Sequence, residues 1–281
     1  MLIGALIPQA HTLTFLIQYL LMAMLFFAFL GMEFKLKTIP KSVILILFAN
    51  IALAFGGHAI LAPFDKELAL VAFITAIAPT AIAAPVITAF VGRKIEYVVT
   101  SVFLTNLASA VIIPAALPSL LGTGIRVSVL DVLQPVLIVM LVPLILARLT
   151  SQLSAGVQEV LYKGKPLSFT LLIINLFIIS ANASNYLRYN NTDSGSALAA
   201  IAMLSLVICI INFIAGITIG GHEYWQEAGQ SLGHKNLSFV IWIALTFINP
   251  LVALGPMFYL VYHHLYNVWL IHHFERSQVI D

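Results

Sequence analysis

Lys235 is the residue whose chemistry most needs a partner. It stands in the run Ser231-Leu232-Gly233-His234-Lys235-Asn236, inside a stretch that otherwise continues as LSFVIWIALTF. An ammonium at the centre of a membrane helix costs about 2.5–3.5 kcal/mol on insertion scales, so a chain retains one only where it meets a partner or water. Snorkelling to the surface is the bland alternative. Residues 236–247 are only 12 in number, too few to cross the hydrocarbon core without the lysine. Gly233 is expected to loosen the backbone there. The second feature is a proline pair, Pro79 and Pro85, in FITAIAPTAIAAPVITAFVG. Each removes a backbone donor and clashes with the preceding turn, at about 3 kcal/mol in a helix interior. Flanking Thr80, the two predict a helix opened between Ala78 and Pro85; a plain proline kink is the alternative. Carbonyls freed at membrane depth must face protein or a polar cavity.

Other polar residues lie near these two segments in sequence or at helical spacing. Thr88 follows the first break. Thr105 and Ser109, four apart, present hydroxyls on one helix face, either toward the break or back to their own carbonyls. Asn106 neighbours Thr105. Asn50, Asn175 and Asn212 are intramembrane amides of the kind that interhelical hydrogen bonds explain. Glu227, Gln230, Ser231 and His234 form a polar face or an aqueous entrance. His222-Glu223 opens like a zinc HExxH site, but position 226 is Gln, so the second ligand is missing. His263-His264 and His272-His273 suggest histidine boxes of membrane oxidases, yet their interval does not give facing pairs. An intramembrane metalloenzyme is therefore the remote alternative, and no metal or cofactor is expected. The single cysteine, Cys209, sits in an apolar run and excludes an intrachain disulfide.

The elements that must position these groups are set by composition. Of 281 residues, 61% are hydrophobic and 9% charged, with mean hydropathy +1.05. Soluble chains carry roughly 45–50% apolar and about 25% charged residues. A water-facing surface cannot be built from so few charges, which excludes a soluble enzyme, a disordered chain and a nucleic-acid binder. The expected fold class is an all-α membrane protein whose first partner is the lipid bilayer.

Apolar runs predict about nine membrane helices, at 12–32, 42–62, 68–91, 96–118, 129–148, 167–187, 195–220, 224–247 and 250–271. Residues 149–166 carry Leu149, Leu153, Val157, Val160 and Leu161 at spacings of three and four, which predicts a short amphipathic helix on the membrane surface joining two halves. Glu33, the first charge, lies beyond the first hydrophobic run, so no cleavable signal peptide is expected. Lys35, Lys37, Lys41, Arg93, Lys94, Arg148, Lys163, Lys165 and Arg276 fall on one side, against Lys66, Arg126 and Arg188 on the other. That asymmetry puts the N-terminus outside and the C-terminus in the cytoplasm of a plasma (inner) membrane. Span starts repeat at an offset of about 153–156 residues, pairing helices one to four with six to nine. An odd shift of five helices inverts the second unit, as in secondary transporters. The organisation expected is 1–148 (first repeat plus span five), 149–166 (linker) and 167–281 (second repeat and tail). At this offset Lys235 pairs with Ile82, between the two prolines.

At the two broken spans the chain resembles the bile acid/sodium symporter (BASS) family, whose relatives include arsenite efflux carriers. The family's first broken helix is close to P-G-G-x-x-S-N-x-x-T; the register over 79–88 matches at Pro79 and Thr88, with Ala84-Pro85 in place of Ser-Asn. The second is similar to E-x-G-x-Q-N; over 231–236 Gly233 and Asn236 match, with Ser231 and Lys235 in place of Glu and Gln. The resemblance implies a core of spans two, three, four, seven, eight and nine, a panel of the others, and substrate in a crevice between them. It also implies sodium sites, but Ala84 and Pro85 have no side-chain oxygen and Ser231 has no charge. A lysine where a cation would sit makes sodium binding unfavourable.

The reading that follows is a secondary active transporter for a small organic solute, an anion by the charge of Lys235, working by alternating access. The Lys235 ammonium is expected to replace sodium and cross-link the two breaks through carbonyls and Asn236. Proton exchange on Lys235, a sodium-coupled symporter and a channel are the alternatives.

Overall fold

The computed structural model describes residues 2–30, 39–122, 127–189 and 194–278. Glu33, Lys35, Lys37 and Arg126, which enter the signal-peptide and orientation readings, lie outside the described residues. Of the described residues, 87% are helical. Among the described residues, five helices are long and apolar enough to cross a membrane: Lys41–Leu61, Ile95–Leu121, Val129–Leu149, Leu167–Tyr189 and Gly195–Gly233. The protein is an all-α, multi-pass membrane protein, and its backbone follows the rule that groups in lipid must be satisfied internally. In chain order the helices are α1 (Leu2–Leu6), α2 (Leu16–Phe29), α3 (Lys41–Leu61), α4 (Lys66–Ala76), α5 (Ala84–Phe90) and α6 (Ile95–Leu121). They continue as α7 (Val129–Leu149), α8 (Ala155–Lys163), α9 (Leu167–Tyr189), α10 (Ser194–Gly233), α11 (Leu237–Phe247) and α12 (Pro250–Gln278).

The helices fall into two compact units. One comprises residues 1–33, 110–194 and 242–251. In it α2 packs on α7 and α9, and α1 packs on α9. Gly4 permits that last contact, since a side chain there would strike the Phe177 carbonyl. Ser184 Oγ donates to Ala5 O at 2.7 Å and Asn182 Nδ2 to Thr14 Oγ1 at 2.8 Å. The start of α7 is fixed by a reciprocal cap, Ser128 N–H to Asp131 Oδ2 (2.8 Å) and Asp131 N–H to Ser128 Oγ (3.2 Å). The stretch 149–166 is not one helix: a 3-10 turn at Thr150–Gln152 precedes α8, and Leu153 between them is extended. No residue of α8 is buried. Leu149, Leu153, Val157 and Val160 stand exposed, an unpartnered apolar side within the chain.

The other unit comprises residues 34–109, 195–241 and 252–281. Asp65 caps α4, its Oδ1 accepting from Glu67 N (2.8 Å) and Leu68 N (3.0 Å). Residues 69–76 of α4 are all buried. The helix stops at Ala76, three residues ahead of Pro79, and the chain is helical again from Ala84. Pro85 therefore does not break a helix. It occupies the first turn of α5, where its missing N–H has no helical partner to lose and its fixed φ suits the start. Only Pro79 lies inside the break. At the far end of α5, Gly92 takes φ 68°. Arg93 N–H reaches Thr88 O and Gly92 N–H reaches Ala89 O, both at 3.0 Å, a Schellman closure that needs glycine at that place.

α10 is a helical hairpin. Gly221 (φ 58°, ψ −154°) and Tyr224 (φ −129°, ψ 25°) leave helical geometry and divide it into two arms. A Cβ on Gly216 would sit 2.5 Å from Ala228 O, and one on Gly220 would sit 2.8 Å from Ala228 Cβ. Small residues four apart thus let the arms approach backbone to backbone. The second arm stays helical through Gly233, so the break is shorter than the polar run 231–236 suggests and covers only His234, Lys235 and Asn236.

Candidate functional site

The two breaks meet side by side. Thr80 and Lys235 form an isolated antiparallel bridge: Ala81 N–H donates to His234 O and Asn236 N–H to Pro79 O, both at 2.8 Å. A backbone deprived of its helical partners in one segment finds them in the other, which is what an opened helix at membrane depth requires.

Side chains supply the remaining partners. Asn106 Nδ2 donates to Thr80 O (3.1 Å) and to Val102 O (2.7 Å). Ile77 O accepts from Ser109 Oγ (3.0 Å) and Asn50 Nδ2 (3.2 Å). Thr80 Oγ1 donates to Ser231 O at 2.6 Å. Thr80 N–H donates to Thr105 Oγ1 at 3.0 Å. Thr105 has one hydroxyl proton, and its shortest acceptor is Ser101 O at 2.7 Å. Its oxygen then serves as acceptor for Thr80. Thr105, Asn106 and Ser109 on α6 therefore line the first break, as their spacing suggests, and do so by holding backbone.

Lys235 is 2% exposed. Its ammonium donates to Ala76 O at 2.8 Å and to Asn50 Oδ1 in a short contact. Ala76 is the last residue of α4, so the cation sits at the negative end of that helix, where a positive charge is stabilised. Hydrogen bonds to a charged group contribute about 1.5–3 kcal/mol each. Two of them offset the roughly 2.5–3.5 kcal/mol of bringing a lysine to this depth. The ammonium does link the two broken segments, but its amide partner is Asn50 of α3 and not Asn236, which takes part through its main-chain N–H. Asn50 escapes a local reading because its partner is 185 residues away. Its only sequence signal is that it is the lone polar side chain in the run VILILFANIALAF.

Other sequence expectations are redistributed. Gly233 has no positive φ. It is glycine because a side chain there would enter the Phe213 ring, while Tyr259 Oη donates to Gly233 O at 2.7 Å. Thr88 bonds back to Ala84 O at 2.9 Å within α5, so its hydroxyl takes no part in the meeting of the breaks. The expected polar face of α10 is packed shut, with Glu227, Gln230, Ser231 and His234 each buried. Gln230 Nε2 donates to Asn267 Oδ1 at 2.9 Å, and Glu227 Oε1 accepts from Lys94 N–H at 3.1 Å. His234 turns away from Lys235 toward His263 and His264 of α12.

A second fastening lies at the corner between α5 and α6. Arg93 Nε donates to Gln226 Oε1 and its guanidinium lies 5.6 Å from the Trp225 ring. Lys94 Nζ lies 3.3 Å from Glu223 Oε1 and 4.5 Å from the Tyr224 ring. The hydrogen bond to Glu223 pushes the Lys94 pKa up. Both partners are exposed, so the pair itself contributes little; the buried Gln226 and Glu227 contacts hold the corner. His222-Glu223 is thus part of a strap. Among the described residues, no three His, Cys, Asp or Glu side chains are placed to hold a metal ion.

The chain matches no protein-family model, and no curated protein is similar to it at a significant level.

Proposed function

We propose that this protein is a secondary active transporter for a small organic solute, an anion by the charge it would meet, working by alternating access. The observation that carries the reading is the meeting of two broken helices inside the buried core of one compact unit, with an ammonium fixed between them. Transporters place their sites at such discontinuous helices, because unwound backbone at membrane depth is tolerated only where it lines or seals a polar site. The helix bounds support an arrangement of nine spans, with α4–α5 and the second arm of α10 with α11 each forming one interrupted span. The spacing of the spans supports an inverted repeat pairing those two, and the distribution of Lys and Arg supports an N-terminus outside and a C-terminus in the cytoplasm. The exposed apolar side of α8 suits a helix lying on the membrane surface.

In this reading Lys235 replaces a coupling sodium ion. A cation that joins two breaks by collecting carbonyl oxygens is here a tethered ammonium, donating to Ala76 O and Asn50 Oδ1. The site is then permanently charged with respect to sodium, and transport is sodium-independent. A thermal-shift screen of small organic anions on purified protein, in sodium and in choline buffers, tests both parts. Stabilisation by an anion of equal size in the two buffers is the expected result. Stabilisation that appears only with sodium defeats the replacement, and single-channel currents without saturable counterflow defeat the carrier.

A further inference from the structure

His263 is 1% exposed, and neither of its ring nitrogens has a hydrogen-bond partner. A neutral imidazole carries one donor and one acceptor, and burying both unpaired is costly enough to need an explanation. Its neighbours supply one. The ring centroid of His234 lies 4.8 Å away and that of His264 lies 4.4 Å away. His234 is buried and His264 exposed, so the three imidazoles run from the meeting of the breaks to the outside of α12. His234 Nδ1 pairs with Gln230 Oε1 at 3.2 Å and His264 Nδ1 with Leu260 O at 2.7 Å, which leaves each neighbour its Nε2. A rotation of the His263 ring about χ2, which is broad for imidazole, then brings ring nitrogens toward the about 2.9 Å of a hydrogen bond. We propose that His234, His263 and His264 form a proton-binding site whose loading is coupled to the joined breaks.

The chemistry is a plain proton transfer. A hydronium ion gives a proton to a ring-nitrogen lone pair and becomes water; one N–H bond forms and one O–H bond breaks. The imidazolium then has two donors, one of which meets the lone pair of the next ring, so a single proton satisfies two nitrogens that are idle in the neutral trio. The ionisable groups facing His263 are His234 from the break after α10, and His264 and Tyr259 (ring centroids 5.8 Å) from α12. Tyr259 adjoins Cys209 of α10. Lys235 follows His234 in the chain but points to Asn50 and Ala76 O. In the sealed arrangement no acceptor meets either ring N–H position of His263, so this conformation is the proton-free one. Loading requires the trio to open and admit water. The coupling is mechanical: His234 O is one of the two acceptors that tie the breaks together, so a shift of His234 moves the contact on which Ala81 depends. The inference rests on the carrier reading for the use made of the proton and deepens it by naming the coupling ion.

The test is a pH jump on proteoliposomes adsorbed to a solid-supported membrane, from about pH 8 to about pH 5.5, across the range where imidazole titrates. Wild type is expected to give a transient charge displacement, as a proton enters a site inside the membrane. His263→Phe keeps the ring volume and removes the acceptor, and it should abolish the transient, while His272→Phe should retain it. Should His263→Phe lose its monodisperse size-exclusion peak, His264→Gln at the exposed end decides, with loss of the transient again expected. A wild type no different from protein-free membranes overturns the proposal, and so does a transient that survives both substitutions. A transient of the expected kind in a protein that shows no counterflow of any anion upholds the proton site and removes the carrier reading instead.

Discussion

Asn50 and Lys235 should be energetically coupled across 185 residues of sequence, and a double-mutant cycle measures how strongly. Asn50→Leu leaves the ammonium with Ala76 O alone. Removing all partners of a buried charge costs about 3–5 kcal/mol, and with one acceptor left the expected loss is about 2–3 kcal/mol. Ile77 O adds little to it, because Ser109 Oγ still donates there at 3.0 Å. Lys235→Met removes the charge but strands Asn50 Oδ1 and Ala76 O, at about 1–3 kcal/mol for each unpaired group. In the double variant neither an unpaired ammonium nor an unpaired amide remains, so the two losses should not add. The shortfall should be about 1.5–3 kcal/mol, the worth of one hydrogen bond to a charged group. Asn50→Asp offers a second check, since a carboxylate accepts from the ammonium as well or better while Ser109 covers Ile77 O, and it should be tolerated. Reversible unfolding in mixed micelles, followed by tryptophan fluorescence, reads all four corners of the cycle. Losses that add to within about 0.5 kcal/mol, the behaviour of independent sites, would refute the assignment of Asn50 as the ammonium's partner.

Two further substitutions probe the scaffold around the site. Gly233→Val drives a side chain into the Phe213 ring and should cost about 1–3 kcal/mol of stability by overpacking, read as a fall in unfolding temperature that Phe213→Ala partly restores. Gly221→Ala places a Cβ at φ 58°, ψ −154°, a region open essentially to glycine, and should cost about 1–3 kcal/mol; retained wild-type stability would mean that the hairpin turn adopts another conformation.

The class of the protein was plain from its apolar content, because lipid dictates composition directly. The two interruptions were also legible, since Pro79 and the polar run before Leu237 violate helix rules that side-chain chemistry alone states. Their details were less so. Pro85 reads as a breaker by type, yet it starts α5, because a proline's effect depends on whether it falls inside a helix or in its first turn. Gly233 reads as a flexible point, yet it is a packing site, because what a glycine makes room for comes from a distant residue, here Phe213. Asn236 was the obvious local partner for Lys235, but in an extended bridge neighbouring side chains point to opposite sides. The ammonium reaches instead to α3. Thr105, Asn106 and Ser109 were visible as a face because helical periodicity is local, whereas the histidine trio joins residues about 30 apart and showed in the sequence only as scattered pairs.

The bridge between the two breaks is made by main-chain atoms of Pro79, Ala81, His234 and Asn236. Every amino acid brings the same carbonyl, and every one but proline the same N–H. The alphabet of side chains at these positions is therefore released from the task of holding the breaks together and constrained only by what surrounds them.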